Sequence, residues 1–211
     1  MQASAASLVT TMACCLRLIQ WPGRHDPIWL LAGVIFFCGI VLWGFVLAWH
    51  TRYTGRPVST LKIEPRLLAT VTVAGFIAAT LFHLLLDPAL RLITPEEYPT
   101  NPGQWLALAL FSVAFSQLFF VFAPFAWLIR LFHNQRVAVV LTVLFGAAVL
   151  ALKIHSTAAP VSPALFAALV LGRIAMGFLA ITFYLRGGVL LSWWWTLLIE
   201  ARHLPDLAGN L

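Results

Sequence analysis

The sequence predicts an all-α fold, a polytopic bundle of about six transmembrane helices in one domain of 211 residues. Hydrophobic residues make up 62% of the chain and charged residues only 9%, where a soluble domain has about 25% charged residues. The charges gather in short clusters between uncharged stretches of the length that crosses a bilayer. A water-soluble protein is excluded, because the chain has too few charged side chains to cover its exterior.

The N-terminal segment is predicted to lie on the membrane surface. The stretch from Ala3 to Trp21 is moderately apolar, carries Arg17 and ends at the helix breaker Pro22-Gly23. A helix with these properties favours an interfacial position over a crossing. We therefore predict residues 1–25 to be an N-terminal interfacial segment.

The first span is predicted from Pro27 to Trp49, with Asp26 as its N-cap and Pro27 at its first helical position. The later spans are predicted at Leu67 to about Leu86, Trp105–Phe132, Val137–Leu152, Ala164–Leu185 and Val189–Ile199. Pro124 predicts a kink or tilt in the third span. The last run follows the Arg186-Gly187-Gly188 turn and is short for a full crossing.

Basic residues set the predicted orientation. The segments His50–Arg66, Arg130–Arg136 and Arg186 are basic, whereas Thr94–Gln104 has acids and no base. The positive-inside rule places basic segments in the cytoplasm, which predicts an outside N-terminus with Arg17 and Arg24 as exceptions. We expect an integral protein of the bacterial cytoplasmic (inner) membrane.

The net charge of +6 does not indicate a nucleic-acid partner, because the basic residues flank spans and would meet anionic lipid headgroups there. Membrane lipids are therefore predicted partners. Cys14, Cys15 and Cys38 form neither a CxxC pair nor a disulfide framework.

Three segments in the second half of the chain have a characteristic order: SQLFFV from Ser116, LFGAAV from Leu144 and FYLRGGVL from Phe183. Through these segments, residues 105–211 resemble the CPBP family, membrane proteins related to type II CAAX prenyl endopeptidases and bacteriocin-immunity proteins. The resemblance implies a helix framework in which paired glutamates and histidines serve intramembrane peptide cleavage.

In this chain, other residue types occupy the positions of those catalytic groups. By the resemblance, Ser116 and Gln117 stand for the paired glutamates, Val121 for the arginine, Val149 for one histidine and Thr196 or Leu197 for the other. An amide and an unactivated hydroxyl do not accept a proton as a carboxylate does. The resemblance therefore implies a pseudoenzyme without catalytic residues, and Ser116 and Gln117 are expected to hydrogen-bond a neighbouring helix.

Ionisable residues inside spans are candidate functional groups. Arg173 lies midway along the fifth span and is expected to meet carbonyls or a carboxylate such as Asp87 or Glu200, with a ligand or partner contact as the alternative. His83 and Asp87 share one helix face, which suits either an interfacial pair or, as the sharper alternative, a proton relay, metal ligand or axial ligand. The interfacial pair is preferred.

Glu200 and His203 are three residues apart, a spacing that can bind a metal in a helix bundle. Pro205 and Asp206 follow at once, so a solvated helix end is preferred and no metal site is predicted. His155 could replace the missing histidine near Val149 only after a register shift.

Three functions are compatible with the sequence. The preferred one is a non-catalytic accessory, assembly or immunity factor that binds other integral membrane proteins. The second is an active intramembrane endopeptidase that uses His83, Asp87, His155, Glu200 or His203. The third is a subunit with His83 as axial ligand to haem or bacteriochlorophyll, although no cofactor is predicted.

Overall fold

The computed structural model describes residues 1–20, 27–60, 62–156 and 161–208, without the Glu96 side chain. Within these ranges the chain is helical and has no strand, which confirms the predicted all-α fold. The main helices are α1 (Gln2–Gln20), α2 (Ile28–Thr54), α3 (Pro65–Leu85), α4 (Asp87–Ile93), α5 (Pro102–Phe111), α6 (Ala123–Phe132), α7 (Gln135–His155), α8 (Pro163–Glu200) and α9 (Leu204–Ala208). Two π-helical segments, Ser112–Ser116 and Leu118–Phe122, join α5 to α6, and the 3₁₀ turns are Pro95–Glu97 and Ala201–His203.

Helix starts follow local capping chemistry. Asn101 and Asn134 accept hydrogen bonds from backbone N–H groups of the first turns of α5 and α7, which satisfies donors that have no partner inside the helix. Pro27 is the residue before α2 instead of its first helical residue. The predicted N-cap Asp26 lies outside the described residues.

Among the described residues, six helices are long and apolar enough to cross a membrane: Gln2–Gln20, Ile28–Thr54, Pro65–Leu85, Pro102–Phe132, Gln135–His155 and Pro163–Ala208. In α2 only 17% of the most apolar stretch is buried, so most of its apolar side chains face outward. A surface of this kind requires lipid as its solvent. The chain is therefore a multi-pass integral membrane protein.

The N-terminal helix α1 packs along α2. Ser7 Oγ donates to Phe36 O at 2.6 Å, and Trp43 Nε1 donates to Thr10 Oγ1 at 3.1 Å. Gly39 admits this approach, because a Cβ there would lie 2.4 Å from Ser7 Oγ. α1 is thus part of the bundle and has the length to cross, whereas its predicted interfacial position stays a prediction.

Helix α8 reverses direction at Gly188, which has a φ of 69°. The ring centroids of Phe183 and Trp195 lie 5.1 Å apart, whereas twelve residues of straight helix would separate them by about 18 Å. The predicted Arg186-Gly187-Gly188 turn is therefore confirmed, and the two halves of α8 form an antiparallel pair. We call this reversal the Gly188 elbow.

The loop between α2 and α3 closes over the Gly188 elbow. Arg56 Nη1 donates to Leu185 O at 2.6 Å, and Val189 N donates to Val58 O at 2.9 Å. These bonds satisfy backbone groups that the reversal removes from the helix.

The basic segments meet at one end of the bundle. The Arg130 guanidinium lies 4.2 Å from the Trp49 ring centroid, and the Tyr53 and His133 rings lie 5.2 Å apart. We call this the basic end, formed by Arg52, Arg56, Lys62, Arg66, Arg130, Arg136 and Arg186.

The opposite end, the acidic end, holds Asp87, Glu97, Glu200 and Asp206. Gln104 Nε2 donates to Gln20 O at 3.1 Å there, so the end of α1 lies at the acidic end. If α1 crosses the membrane, the positive-inside rule places its start in the cytoplasm, whereas an interfacial α1 keeps the outside N-terminus, which stays a prediction. Arg17 lies in the last turn of α1 and remains an exception to the rule.

The backbone of the third predicted span is irregular just before Pro124. Proline has no N–H to donate to the preceding turn, and the second π-helical segment ends at Phe122. A π-helical turn is a known way to accommodate a missing backbone hydrogen bond within a helix. Phe122 and Phe125 then pack with Tyr184, with ring centroids 4.6 and 6.1 Å away, in the bundle core.

Candidate functional site

Four of the five polar candidates in spans meet at the acidic end. α3 carries His83 in its last turn, and α4 begins with Asp87. α8 ends at Glu200, and the following 3₁₀ turn carries His203. The Gly188 elbow brings the end of α8 back to α3, so residues far apart in the chain form one polar cluster.

Asp87 is the centre of this cluster and is only 1% exposed. Tyr98 Oη donates to its Oδ1 at 2.9 Å, and Arg202 Nε lies 3.3 Å from its Oδ2. Burial and, next, the charge of Asp87 raise the pKa of Tyr98, so the phenol keeps the proton that it donates. The prediction of an interfacial pair is wrong for Asp87. Its carboxylate is buried inside the protein, where the Arg202 guanidinium is its counter-charge.

His83 bridges two carboxylates. Its Nδ1 lies 3.8 Å from Asp87 Oδ2 and 3.8 Å from Asp206 Oδ2. Arg91 forms an ion pair with Asp206, and its guanidinium lies 4.9 Å from the Tyr98 ring centroid. These contacts tie α9 to α3 and α4.

Glu200 and His203 close the cluster. Glu200 Oε2 lies 3.8 Å from both Arg202 Nη1 and His203 Nε2, and Trp105 Nε1 donates to Glu200 O at 2.9 Å. The His203 ring meets the Tyr98 ring edge to face, with centroids 5.2 Å apart. His203 is 3% exposed, so the predicted solvated helix end is wrong.

Four members of the cluster were not predicted from the sequence: Arg91, Tyr98, Arg202 and Asp206. Arg91 could have been found, because it follows Asp87 at the four-residue spacing of one helix face. Tyr98 lies beyond a loop and has no such signal.

Gln117 and Thr196, two of the positions compared with the CPBP motifs, both contact Ser192 within the bundle. Gln117 Oε1 accepts a hydrogen bond from Ser192 Oγ at 3.0 Å, and Thr196 Oγ1 donates to Ser192 O at 3.0 Å. The expected hydrogen bond between Gln117 and a neighbouring helix is confirmed, with Ser192 as the donor. Val121 is buried, whereas Ser116 and Val149 are half-buried.

Arg173 does not reach the polar cluster, so the expected pairing with Asp87 or Glu200 is wrong. Its guanidinium lies 4.8 Å from the Phe120 ring centroid, and a Cβ on Gly146 would lie 3.4 Å from its Nε. No carboxylate of the described ranges lies within ion-pair distance of Arg173. Arg173 faces α7, on which Gly146 lies.

No family model, curated protein or solved structure matches the chain. The resemblance to the CPBP family therefore stays a prediction from the residues quoted above.

The described part of the chain has no group of three or more histidine, cysteine or acidic side chains placed to hold a metal ion. His155 is exposed at the end of α7 and is not among the contacts of the polar cluster. The role of His83 as an axial ligand stays a prediction, and in the structure its Nδ1 faces two carboxylates.

Proposed function

We propose that this protein is a non-catalytic member of the CPBP-like membrane proteins, which binds other integral membrane proteins as an accessory, assembly or immunity factor. The observation that carries the proposal is the hydrogen bond from Ser192 Oγ to Gln117 Oε1 at 3.0 Å. By the resemblance, Gln117 stands where the family has a carboxylate that activates water.

The polar side chains around Gln117 form hydrogen bonds within the bundle. Gln117 accepts from Ser192, and Thr196 donates to the backbone of Ser192. A neutral amide whose oxygen already accepts a hydrogen bond is a poor general base, and the neighbouring motif position Val121 is buried and apolar. This arrangement supports helix packing in a membrane in preference to peptide cleavage.

The test pairs a cleavage assay on the purified full chain in detergent with a binding assay that begins in native membranes. With a prenylated CaaX peptide as substrate, the wild type is expected to give no product. After crosslinking in native membranes, Gln117→Ala is expected to co-purify with the same membrane proteins as the wild type. Cleavage by the wild type that Gln117→Ala abolishes would overturn the proposal.

Thr182→Ala is the matched control for Gln117→Ala. Thr182 is half-buried and donates within its own helix, to Phe178 O at 2.7 Å, so its loss changes neither the Gln117 site nor the core. Both variants are expected to accumulate at wild-type levels.

A second candidate function, an active endopeptidase, is favoured by one observation. His83, Asp87, Glu200 and His203 share a single contact network, and the buried Glu200 Oε2 has no hydrogen bond within the described residues. If this site cleaves the same peptide, Glu200→Gln and His83→Ala should each abolish the product while Gln117→Ala leaves it unchanged.

A further inference from the structure

The basic side chains of the basic end are exposed and have no acidic partner within the described part of the chain. The exposed residues are Arg52, Arg56, Lys62, Arg66, Arg130, Arg136 and Arg186. None of them forms an ion pair with another described residue. Glu64 is the one acid in the sequence segments that carry them. This end of the bundle therefore presents a concentrated positive charge to its surroundings.

The basic side chains lie where the lipid-facing surface ends. Arg130 is in the last turn of α6, and the neighbouring Leu131 and Phe132 are each 51% exposed. Arg66 is in the first turn of α3, and Leu68 next to it is 40% exposed. Apolar side chains with this exposure require hydrocarbon around them, and a long basic side chain beside them extends its charge into the headgroup layer. Lipid phosphates are therefore the anions within reach.

Four of these basic residues lie in or beside the loop that covers the Gly188 elbow: Arg56, Lys62, Arg66 and Arg186. Arg56 Nη1 donates to Leu185 O at 2.6 Å, which places its guanidinium beside the backbone of Arg186. Like charges repel one another. Without a counter-charge, these side chains therefore oppose the closure of the loop.

We infer that the basic end binds anionic phospholipid, whose phosphate groups hold the loop between α2 and α3 over the Gly188 elbow. Arginine binds phosphate through paired hydrogen bonds, and each basic residue near an anionic membrane surface strengthens the attraction about fivefold. A zwitterionic headgroup brings its own cation and leaves the excess positive charge in place. Lipid binding at this end requires neither a protein partner nor peptide cleavage, so it is independent of the proposed function.

The first measurement is a lipid competition followed by native mass spectrometry. The purified full-length protein is mixed in detergent with equal amounts of phosphatidylglycerol and phosphatidylcholine that have the same acyl chains. Bound phosphatidylglycerol is expected to exceed bound phosphatidylcholine about tenfold. Equal binding of the two lipids would overturn the inference.

Lys62→Gln and Lys153→Gln remove the same charge from opposite ends of the bundle. Lys62 is exposed in the loop that covers the elbow, and the Lys153 side chain is 52% exposed at the acidic end. Lys62→Gln should reduce the preference for phosphatidylglycerol about fivefold, whereas Lys153→Gln should leave it unchanged. Equal reductions in both variants would show that only the net charge of the protein matters, which also overturns a site at the basic end.

The second measurement follows the elbow itself by hydrogen exchange. Val189 N donates to Val58 O at 2.9 Å, a bond that requires the loop to be closed. Nanodiscs of phosphatidylglycerol, compared with nanodiscs of phosphatidylcholine, should slow the exchange of this amide about fivefold in the wild type and less than about twofold in Lys62→Gln. Exchange at the same rate in both lipids would contradict the role of the lipid at the elbow.

Inorganic phosphate distinguishes a lipid site from a site for a free anion. Added to the wild type in phosphatidylcholine nanodiscs, it is expected to leave the Val189 exchange unchanged, because it has no acyl chains to hold it at the membrane surface. Protection equal to that given by phosphatidylglycerol would assign the site to a soluble anion and overturn the inference.

Discussion

The rings of Phe183 and Trp195 lie 5.1 Å apart across the Gly188 elbow. This contact joins two halves of what would otherwise be one helix of 38 residues. It also returns Glu200 to the end of α3, where Asp87 lies. The polar cluster at the acidic end therefore depends on a backbone reversal at the basic end.

Replacing Gly188 by alanine should destabilise the protein. A Cβ at this position would lie 2.6 Å from Val58 O, and the φ of 69° disfavours any side chain. We expect a loss of about 1–3 kcal/mol, measured as a lower melting temperature in detergent. Gly44→Ala is the control, because nothing lies within 4 Å of its Cβ, and an equal loss in both variants would contradict the role of the elbow.

Neutralising Asp87 should have a larger effect than neutralising an exposed acid. Asp87→Asn leaves the Arg202 charge without its buried partner, and removing one member of such a pair costs about 3 kcal/mol. Glu97→Gln breaks the ion pair with Lys153, whose side chain is 52% exposed, and should cost less than about 1 kcal/mol. Similar melting temperatures for the two variants would show that Asp87 is not buried in the native membrane protein.

Tyr98 should make the protein sensitive to alkali. Burial and the charge of Asp87 raise its pKa in the folded state above the ordinary value of 10.0. A group with a raised folded pKa stabilises fully below its unfolded pKa and loses that contribution as pH rises towards the folded value. The wild type is thus expected to lose stability above about pH 10.

Tyr98→Phe isolates this effect in melting curves recorded from pH 8 to 11. The variant should be less stable at pH 8, by about 1 kcal/mol for the lost hydrogen bond, and its alkaline loss should be smaller than that of the wild type. Parallel pH profiles would contradict the burial of the phenol.

The orientation can be checked with alkaline phosphatase fusions in a bacterial host, since this enzyme is active only outside the cytoplasm. A fusion after Pro99, at the acidic end, is expected to be active. A fusion after Asn134, at the basic end, should be inactive, as the positive-inside rule requires. The opposite pattern would invert the topology.

The apolar stretches of the sequence predict most of the fold, because a bilayer permits little besides helices. The Arg186-Gly187-Gly188 turn was also predictable, since two adjacent glycines favour a reversal. The packing of α1 against α2 was not predicted, because Ser7, Thr10 and Arg17 lower the hydropathy of α1. Its hydroxyl groups bind α2, at Phe36 O and Trp43 Nε1, which only the packed structure reveals.

The candidate site was predictable only in parts. The pairs His83 and Asp87, and Glu200 and His203, are visible as helical spacings. That the two pairs meet depends on the elbow, and their burial depends on Arg202 and Tyr98 as partners. Arg173 was expected to pair with one of these acids, but helix packing places it against Phe120.

The second half of α8, which follows the Gly188 elbow, is short. Val189–Glu200 spans about 18 Å, whereas α3 beside it has 21 residues. The ionic groups that follow Glu200 nevertheless meet the last turn of α3, where Asp206 Oδ2 lies 3.8 Å from His83 Nδ1. A bilayer accommodates a short crossing by becoming thinner, so the protein should favour lipids with short acyl chains, and membrane thickness would then influence where it accumulates.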